Sequence, residues 1–359
     1  MIDEASCDRS RLEGPQKGPQ SPSCGPCAVP SPTNTHEHER TAPREAQRFR
    51  GFSPLFAAVR GSLTNRGAEI RTRDLTDPNG ARYQAAPRPD APVSIPHRYR
   101  RDVPATASDI LRELDVLLEP ERFDDYGPNG LQVPGAADVE TVATGVSAHL
   151  ELFELAAAER AQLLLVHHGI FWGSGPGPID ATLKRRLQVL FDADISLAAY
   201  HLPLDAHPTL GNNALLAREL GAERIEPFAI HRGQPIGFVA DLAGAELRGV
   251  AAADLFARVR EITAREPLVF AAGPPRVRRV AIVSGAGSDH IVDAADAGAD
   301  ALLTGEPTER VMAQARELGL HFIAAGHYAT EKLGVQALGE HLAQRFGVRH
   351  VFIDVPNPI

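Results

Sequence analysis

Two adjacent histidines follow a run of apolar residues in the middle of the chain. Residues 163–166 are apolar, His167 and His168 come next, and Gly169 follows them. The run is typical of a buried parallel strand, whose carboxyl end is where α/β proteins place their chemistry. Neutral imidazole is a common ligand for transition metals, so this pair could bind metal. Because successive strand residues face opposite sides, one metal could take both histidines only if the chain turns at Gly169. Two metals, one for each histidine, are the alternative.

Two further histidines each have a carboxylate four positions later. His201 is followed by Asp205, and His327 is followed by Glu331. Residues four apart share one face of a helix, and the same spacing lets both side chains converge at a strand-to-helix turn. A histidine pair alone is more typical of hydrogen-bonded residues at a strand end, since a metal site needs further ligands. Three such stretches, each after an apolar strand, favour a metal site.

Charge and hydropathy exclude two classes of partner. Residues 1–104 carry 16 Lys and Arg against 12 Asp and Glu, whereas residues 105–359 carry 21 against 34. An acidic body disfavours nucleic-acid binding, which needs clustered positive charge. The 43% hydrophobic content is enough for a core, and no apolar run approaches the ~20 residues of a membrane span. We therefore expect neither nucleic acid nor a membrane as partner; a small-molecule substrate remains compatible.

The first 104 residues have the composition of a disordered extension. They hold 14 of the 29 prolines and all three cysteines, and such a segment cannot bury enough apolar surface to offset its chain entropy. They lack the cationic start and apolar stretch of a secretory signal, so we expect a cytoplasmic protein. Cys24 and Cys27 have the spacing of a redox pair without the flanking strand and helix that it needs. A second hypothesis is a mis-called N-terminal extension, with a start at a non-Met codon such as that of Val103.

From Ala105 onward, strand and helix patterns alternate. Strands are predicted near 140–146, 163–168, 195–200, 278–284, 300–304, 320–325 and 349–355. Helices are predicted near 108–118, 150–160, 181–192, 211–220, 251–264, 289–298, 307–318 and 329–346. Alternation of this kind predicts an α/β fold with parallel strands joined by right-handed crossovers. The segment 225–275 departs from it through a predicted hairpin at 227–231 and 235–242, and forms either a small subdomain or an antiparallel extension.

An internal repeat relates the two ends of this pattern. A shift of 138 residues places His167 and His168 on Gly305 and Glu306, and a shift of 126 superimposes the two His-x-x-x-carboxylate pairs. A repeat of this length indicates two related structural units. We therefore predict two related α/β halves with mostly parallel sheets that face a shared metal cleft.

The predicted domain division follows from the repeat. Residues 105–359 form one metal-binding α/β domain with pseudo-repeated halves at about 105–224 and 276–359 and a small subdomain at 225–275. Three or four histidines plus two carboxylates exceed what one catalytic metal takes from a protein. They suit two divalent ions, and Zn, Fe or Mn are all compatible; such a pair lowers the pKa of bound water and stabilises the charge of a hydrolytic transition state.

The stretches that carry these residues resemble the motifs of the dinuclear-metal-centre hexameric family. Its members are often labelled GTP cyclohydrolase type 2 homologues or NGG-interacting-factor-like proteins. The matching stretches are 125–133, 167–172, 200–208 with 211–213, 304–306 and 326–331. The resemblance covers about 105–359 and does not extend to the first 104 residues.

The resemblance implies a ligand set, an assembly and a proton carrier. The implied metal ligands are His167, His168, Asp205, His327 and Glu331. His201 matches a histidine that is either a ligand or a nearby base, and we expect His201 or Glu306 to carry protons. Family members form toroidal hexamers with the metal sites facing an internal cavity, so a homohexamer is expected.

Three further features each have two interpretations. His207 is predicted to be structural rather than a ligand. The segment 285–289 is predicted to be a tight turn rather than a phosphate-binding loop. Phe171 and Trp172 either line the cavity or belong to the core.

Two functions fit these predictions. The first is a GTP cyclohydrolase type 2-like hydrolase that uses metal-activated water on a nucleotide-like substrate. The alternative is a non-catalytic metal-binding hexameric scaffold or regulator. A ring that threads DNA fits poorly with the acidic body.

Overall fold

A computed structural model of the protein describes residues 104–173, 175, 177–242 and 249–359. The predicted disorder of the N-terminal extension, the Cys24–Cys27 pair and the alternative start at Val103 all fall on residues outside these ranges. They stay predictions.

Strands and helices alternate through the described residues, as the apolar pattern predicts. The strands are β1 (Ala105–Thr106), β2 (Gly130–Val133), β3 (Asp138–Val139), β4 (Thr141–Ser147), β5 (Leu163–His168), β6 (Ser196–Ala199), β7 (Ala222–His231), β8 (Gln234–Leu242), β9 (Val250–Ala251), β10 (Leu268–Phe270), β11 (Arg276–Val277), β12 (Arg279–Val283), β13 (Ala301–Thr304), β14 (His321–Ala324) and β15 (Arg349–Phe352). The helices are α1 (Ala107–Leu118), α2 (Leu150–Ala158), α3 (Ala181–Asp192), α4 (Leu202–Ala206), α5 (Asn212–Glu219), α6 (Ala252–Thr263), α7 (Ile291–Asp296), α8 (Val311–Leu318) and α9 (His327–Phe346). Single 3₁₀ turns occupy Pro120–Arg122 and Gly287–His290.

The first large sheet has the strand order β15–β4–β5–β6–β2. Its strands are parallel except β2, which runs antiparallel to β6. Strands β4, β5 and β6 are almost entirely buried because helices cover both faces of the sheet, as expected for a parallel sheet. Because β5 and β6 are parallel neighbours, their carboxyl ends lie side by side at the same edge of the sheet.

The second large sheet has the strand order β10–β14–β13–β12–β8–β7. Its central strands β12, β13 and β14 are parallel and repeat the arrangement of β4, β5 and β6. The predicted hairpin is present as β7 and β8, joined through Arg232 and Gly233, and β8 pairs with β12. The segment 225–275 thus contributes antiparallel strands to this sheet. The two sheets confirm the predicted α/β fold class. The first sheet is mostly parallel, whereas the pairings of β7, β8 and β10 make the second sheet mixed.

Helix α9 links the two sheets. It follows β14 of the second sheet, but its apolar residues Val335, Leu338 and Leu342 pack in one cluster with Val142 and Leu163 of the first sheet. Burying a leucine of this kind stabilises the fold by about 1.5–3 kcal/mol. The chain then enters β15, which pairs with β4 although the predicted division places it in the second half. No helix within the described ranges combines the length and apolar character needed to cross a bilayer.

Candidate metal centre

Three segments bring the predicted ligands together at the edge where the parallel strands end. His167 and His168 are the last residues of β5. Asp205 lies in the short helix α4, which begins directly after His201. His327 and Glu331 occupy the first two turns of α9.

The side-chain nitrogen and oxygen atoms converge on Glu331. Its Oε2 lies 3.1 Å from the Nε2 atoms of both His168 and His327. His167 Nε2 lies 3.6 Å from Glu331 Oε1 and 3.5 Å from Asp205 Oδ2. His167, Asp205 and Glu331 are all buried. The five predicted ligands therefore lie within reach of a shared space.

Three sets of these side chains have the geometry to hold a metal ion. The sets are His167–Asp205–Glu331, His168–His327–Glu331 and His167–His168–His201, and within each set the ligand atoms lie within 4.8 Å of one another. Two of the sets share Glu331. Among the described residues, His167 Nε2 and Glu331 Oε2 are buried without a hydrogen-bond partner. Such atoms are costly unless they are satisfied, and imidazole and carboxylate together suit divalent zinc, iron or manganese.

In each of the four histidines, the Nδ1 atom forms a hydrogen bond on the side of the ring away from the shared space. His167 Nδ1 donates to the Tyr200 carbonyl oxygen at 3.1 Å, and His168 Nδ1 hydrogen-bonds with the Ser147 hydroxyl at 2.9 Å. His201 Nδ1 donates to Asp125 Oδ1 at 2.7 Å, and His327 Nδ1 donates to Glu306 Oε1. Metal-binding histidines almost always have such a partner on the second ring nitrogen, which fixes the ring and its tautomer. All four Nε2 atoms are thereby left for the shared space.

Asp205 is held in the same manner. Its Oδ1 accepts hydrogen bonds from Asn212 Nδ2 at 2.9 Å and from Ser284 Oγ at 2.8 Å. Its Oδ2 is the atom that faces His167. Asn212 is itself fixed because its Oδ1 accepts from the Gly334 amide of α9. One carboxylate oxygen is thus used for support and the other is left for a ligand.

The buried charges shift the pKa values of the protein without metal. Burial alone would lower the pKa of His167, but the carboxylates of Asp205 and Glu331 outweigh it and raise the pKa to about 9. Burial likewise opposes protonation of His327, and Glu331 and then Glu306 raise its pKa to about 9. Burial would raise the pKa of Glu331, but the charges of His167 and His168 hold it well below its usual range. The site therefore favours positive charge opposite its two carboxylates, as a divalent ion would provide.

Gly285 lets the second sheet approach these ligands. It follows β12 with a φ of +61°, and a Cβ atom there would collide with Glu331 Oε1. Both the left-handed backbone and the close approach require glycine. The amides of Gly285 and Gly287 donate to the hydroxyls of Thr330 and Thr304. These bonds favour the interpretation of the segment as a tight turn rather than as a phosphate-binding loop.

The remaining predicted residues lie at or near the site. Glu306 contacts His327 rather than the other ligands. His207 Nδ1 accepts from the Leu210 amide at 3.0 Å in a turn and belongs to none of the three sets. Trp172 is 47% exposed and lines the cavity in front of the ligands.

Several residues at the site carry no spacing signal in the sequence. Asp125 orients His201 and also accepts from the Leu202 amide at 2.9 Å. The loop that contains it is predicted only as a turn or as a family motif. His231 and His290 line the same cavity although no partner spacing marks them.

The fold and the site together define a class of protein. It has two parallel three-stranded units in separate sheets and a histidine–carboxylate cluster, able to hold metal, at the strand ends. The sequence profile of the Duf34/NIF3 (NGG1p interacting factor 3) family matches residues 105–358. The chain therefore belongs to that family, and the resemblance inferred from its motifs is confirmed.

Similar proteins carry one recurring name. A protein of Pseudomonas aeruginosa called "GTP cyclohydrolase 1 type 2 homolog" is 47% identical over 252 residues, 70% of this chain and 98% of that protein. The solved structure of protein ybgI, described as of unknown function, is 38% identical with a TM-score of 0.66, covering 71% of this chain and all of that one. A crystal structure of a Thermus thermophilus protein is also 38% identical, with a TM-score of 0.65 and the same coverage.

Proposed function

We propose that the protein is a metal-dependent hydrolase that acts on a nucleotide-like substrate with two divalent ions. His167, Asp205 and Glu331 would hold one ion, and His168, His327 and Glu331 would hold the other. The shared Glu331 supports a pair of ions with one bridging carboxylate. The observation that carries the proposal is that all four histidines are fixed through Nδ1 and present Nε2 to one space.

Bound divalent ions would lower the pKa of water and stabilise the negative charge of a hydrolytic transition state. Residues of the chain would supply proton transfer and the positioning of the ligands. His201 is held by Asp125, whose own pKa is lowered: burial raises it, but the hydrogen bond and charge of His201 outweigh that effect. The ionised Asp125 keeps the proton of His201 on Nδ1, so that Nε2 can accept a proton from the substrate side. We assign proton transfer to His201.

Glu306 has a different role in this proposal. Its carboxylate hydrogen-bonds to His327 Nδ1, on the side of the ring away from the shared space. We assign it to positioning His327, in the manner of carboxylates that support metal-binding histidines. The name shared by the relatives supports a nucleotide-like substrate.

The proposal is tested by metal analysis followed by turnover. Elemental analysis of untagged protein should find two metal ions per chain. The loaded protein should hydrolyse at least one member of a nucleotide and phosphoester panel, with formate and phosphate as detected products, and should stop when a chelator is added.

The matched variants are His168→Ala and His341→Ala. His341 lies far along α9 and pairs with Glu113, so its loss should leave turnover unchanged. His168→Ala should abolish turnover while the circular dichroism spectrum stays the same. Turnover that survives both His168→Ala and chelation would contradict the proposal. Two bound ions without turnover across the panel would instead support the scaffold or regulator alternative.

We also propose a homohexamer, on the strength of the family resemblance. Light scattering should then give six times the chain mass of 38.5 kDa. A monomeric mass at micromolar concentration would contradict it.

A further inference from the structure

The cavity in front of the metal centre has few means of binding a highly charged anion. It has a volume of about 600 Å³, within the range of small-molecule sites. Its described lining includes five histidines and three carboxylates, but no lysine or arginine. Proteins that bind polyphosphates usually surround them with such cations or with free backbone amides.

Two arginines that contact lining residues of the cavity are already paired. Arg232 Nη1 lies 2.9 Å from Asp124 Oδ1, and its guanidinium lies over the Tyr126 ring at 5.6 Å. Arg310 forms an ion pair with Asp289. A polyphosphate would have to break these contacts to use either arginine.

The histidines on the wall opposite the ligands add little positive charge. Burial, and then the neighbouring Arg232, lower the pKa of His231, so the ring is neutral at pH 7. His290 hydrogen-bonds through Nδ1 to Asp293 at 2.9 Å, so a carboxylate already occupies one side of its ring.

Aromatic and apolar groups also line the cavity, beside the polar Asn213 and Ser284. Trp172 and Tyr126 are 47% and 48% exposed, and their ring centroids lie 5.4 and 6.0 Å from that of His201. Leu202, Ile236 and Val283 add apolar surface. Solvent-exposed rings beside a site of this size are the usual means of stacking a planar heterocycle.

The two exposed rings are held by a backbone contact between their loops. The Gly173 amide donates to the Tyr126 carbonyl oxygen at 2.6 Å. Gly127 packs so closely on the Phe171 carbonyl that a Cβ atom would not fit. Arg232 and His231 contact the Tyr126 ring, whereas His168 and His201 of the candidate metal centre lie beside the Trp172 ring. Trp172 is therefore the ring better placed to stack on a compound that reaches the metal centre.

We propose that this cavity selects a planar heteroaromatic compound with no more than one phosphate, that Trp172 stacks on the ring, and that nucleoside triphosphates bind more weakly. The inference rests on the metal site proposed above and narrows its substrate class. The carboxylates of Asp205 and Glu331 would leave two divalent ions with at most two positive charges, which one phosphate monoester can neutralise. A triphosphate would carry further negative charge into a cavity whose described lining has no lysine or arginine to pair it.

Trp172 fluorescence can report ligand binding, because Trp172 is the single tryptophan of the whole chain. The full-length, metal-loaded protein is titrated with guanosine, GMP, GTP and ribose 5-phosphate while Trp172 fluorescence is recorded. GMP should quench the fluorescence and bind about tenfold more tightly than GTP, and guanosine should also quench. Ribose 5-phosphate, which has no ring, should not quench. Metal content measured after each titration ensures that GTP has not removed the ions.

The matched variants are Trp172→Ala and Trp172→Phe. Because both lack the fluorophore, their ligand binding is measured by calorimetry. Trp172→Ala should weaken GMP binding about tenfold, as expected for loss of one stacking ring, while ribose 5-phosphate binding stays unchanged. Trp172→Phe should stay close to the wild type. Equal metal content and circular dichroism in both variants exclude a folding defect.

Three results would overturn the inference: GTP binding as tightly as GMP, ring compounds failing to bind, or GMP affinity unchanged in Trp172→Ala. These results concern binding and not turnover. A protein that binds GMP in the expected order without hydrolysing it would contradict the proposed function alone. A protein that hydrolyses GTP and binds it as tightly as GMP would contradict only this inference.

Discussion

The two parallel three-stranded units of the molecule have the same strand order but supply different kinds of group to the site. The carboxyl end of β5 carries His167 and His168, whose Nε2 atoms face the shared space. The corresponding end of β13 leads into Gly305 and Glu306, and Glu306 contacts the back of a histidine. At this pair of strand ends, the first unit delivers atoms that can bind metal, and the second supplies a carboxylate that holds the His327 ring in place.

The loop after β12 shows the same difference. Ser284 donates to Asp205, and Gly285 gives Glu331 room to approach. Neither residue offers a metal-binding atom of its own in the three ligand sets. At these corresponding strand ends, one copy of the repeated fold keeps candidate ligands and the other keeps groups that position them. The second half still supplies His327 and Glu331 from α9.

Removing Glu331 should have the largest effect, because it belongs to two of the three ligand sets. We expect Glu331→Ala to lower metal affinity by more than about 100-fold, beyond the range for supporting residues. Competition with a chromogenic chelator measures this. Glu340→Ala, an exposed position on the same helix, is the control and should bind metal normally.

Glu306→Ala tests the supporting role of the second unit directly. Loss of the carboxylate behind His327 should lower metal affinity about 10- to 100-fold while leaving the ligands intact. Glu309→Ala, three residues later and exposed, is the matched control. If Glu306→Ala bound metal as tightly as the control, the second unit would have no supporting role at His327.

Ser284→Ala should have a smaller effect of the same kind. Asp205 Oδ1 would keep its hydrogen bond from Asn212, so we expect a loss of about tenfold in metal affinity. The exposed Ser108→Ala variant serves as control. A loss as large as that of Glu331→Ala would mean that Ser284 acts as more than a support.

The smallest expected effect is a change in the thermal stability of the metal-free protein with pH. The pKa values of His167 and His327 are raised to about 9 in the folded chain, so the folded state binds more protons than the unfolded state above pH 6.5. Their contribution to the free energy of unfolding is complete below pH 6.5 and is lost as the pH rises through 9. The Tm of chelator-treated protein should therefore fall by a few degrees over this interval.

Metal-loaded protein provides the comparison for that measurement. Its histidines bind metal in the deprotonated form, so the same rise in pH should not lower its Tm in this way. An identical fall in both forms would show that the decline arises outside the site.

The fold was predictable where the apolar pattern was long and uninterrupted. The predicted strand at 163–168 coincides with β5, and the strand predicted at 278–284 contains β12. Helix boundaries were less predictable: the helix predicted at 307–318 begins only at Val311, after a turn in which the Val311 amide donates to the Thr308 carbonyl oxygen. Pairing of β15 with β4 depends on where α9 packs, and no local pattern encodes that.

The candidate ligands could be picked out from the sequence because family motifs and spacing within short segments mark them. His327 and Glu331 are one helical turn apart in α9 and lie 3.1 Å apart between Nε2 and Oε2. The partners that hold the ligands were not predictable in this way. Asp125 is 76 residues from His201 and Ser284 is 79 residues from Asp205, so only the folded chain joins them.

The path of α9 sets when the centre can first be assembled during synthesis. The helix that carries His327 and Glu331 packs against strands made much earlier, and β15 joins the sheet beside β4 only after it. A nascent chain that has released β5 and α4 from the ribosome still lacks the carboxylate that two ligand sets share. The two candidate sets that share Glu331 are therefore complete only in the nearly finished polypeptide.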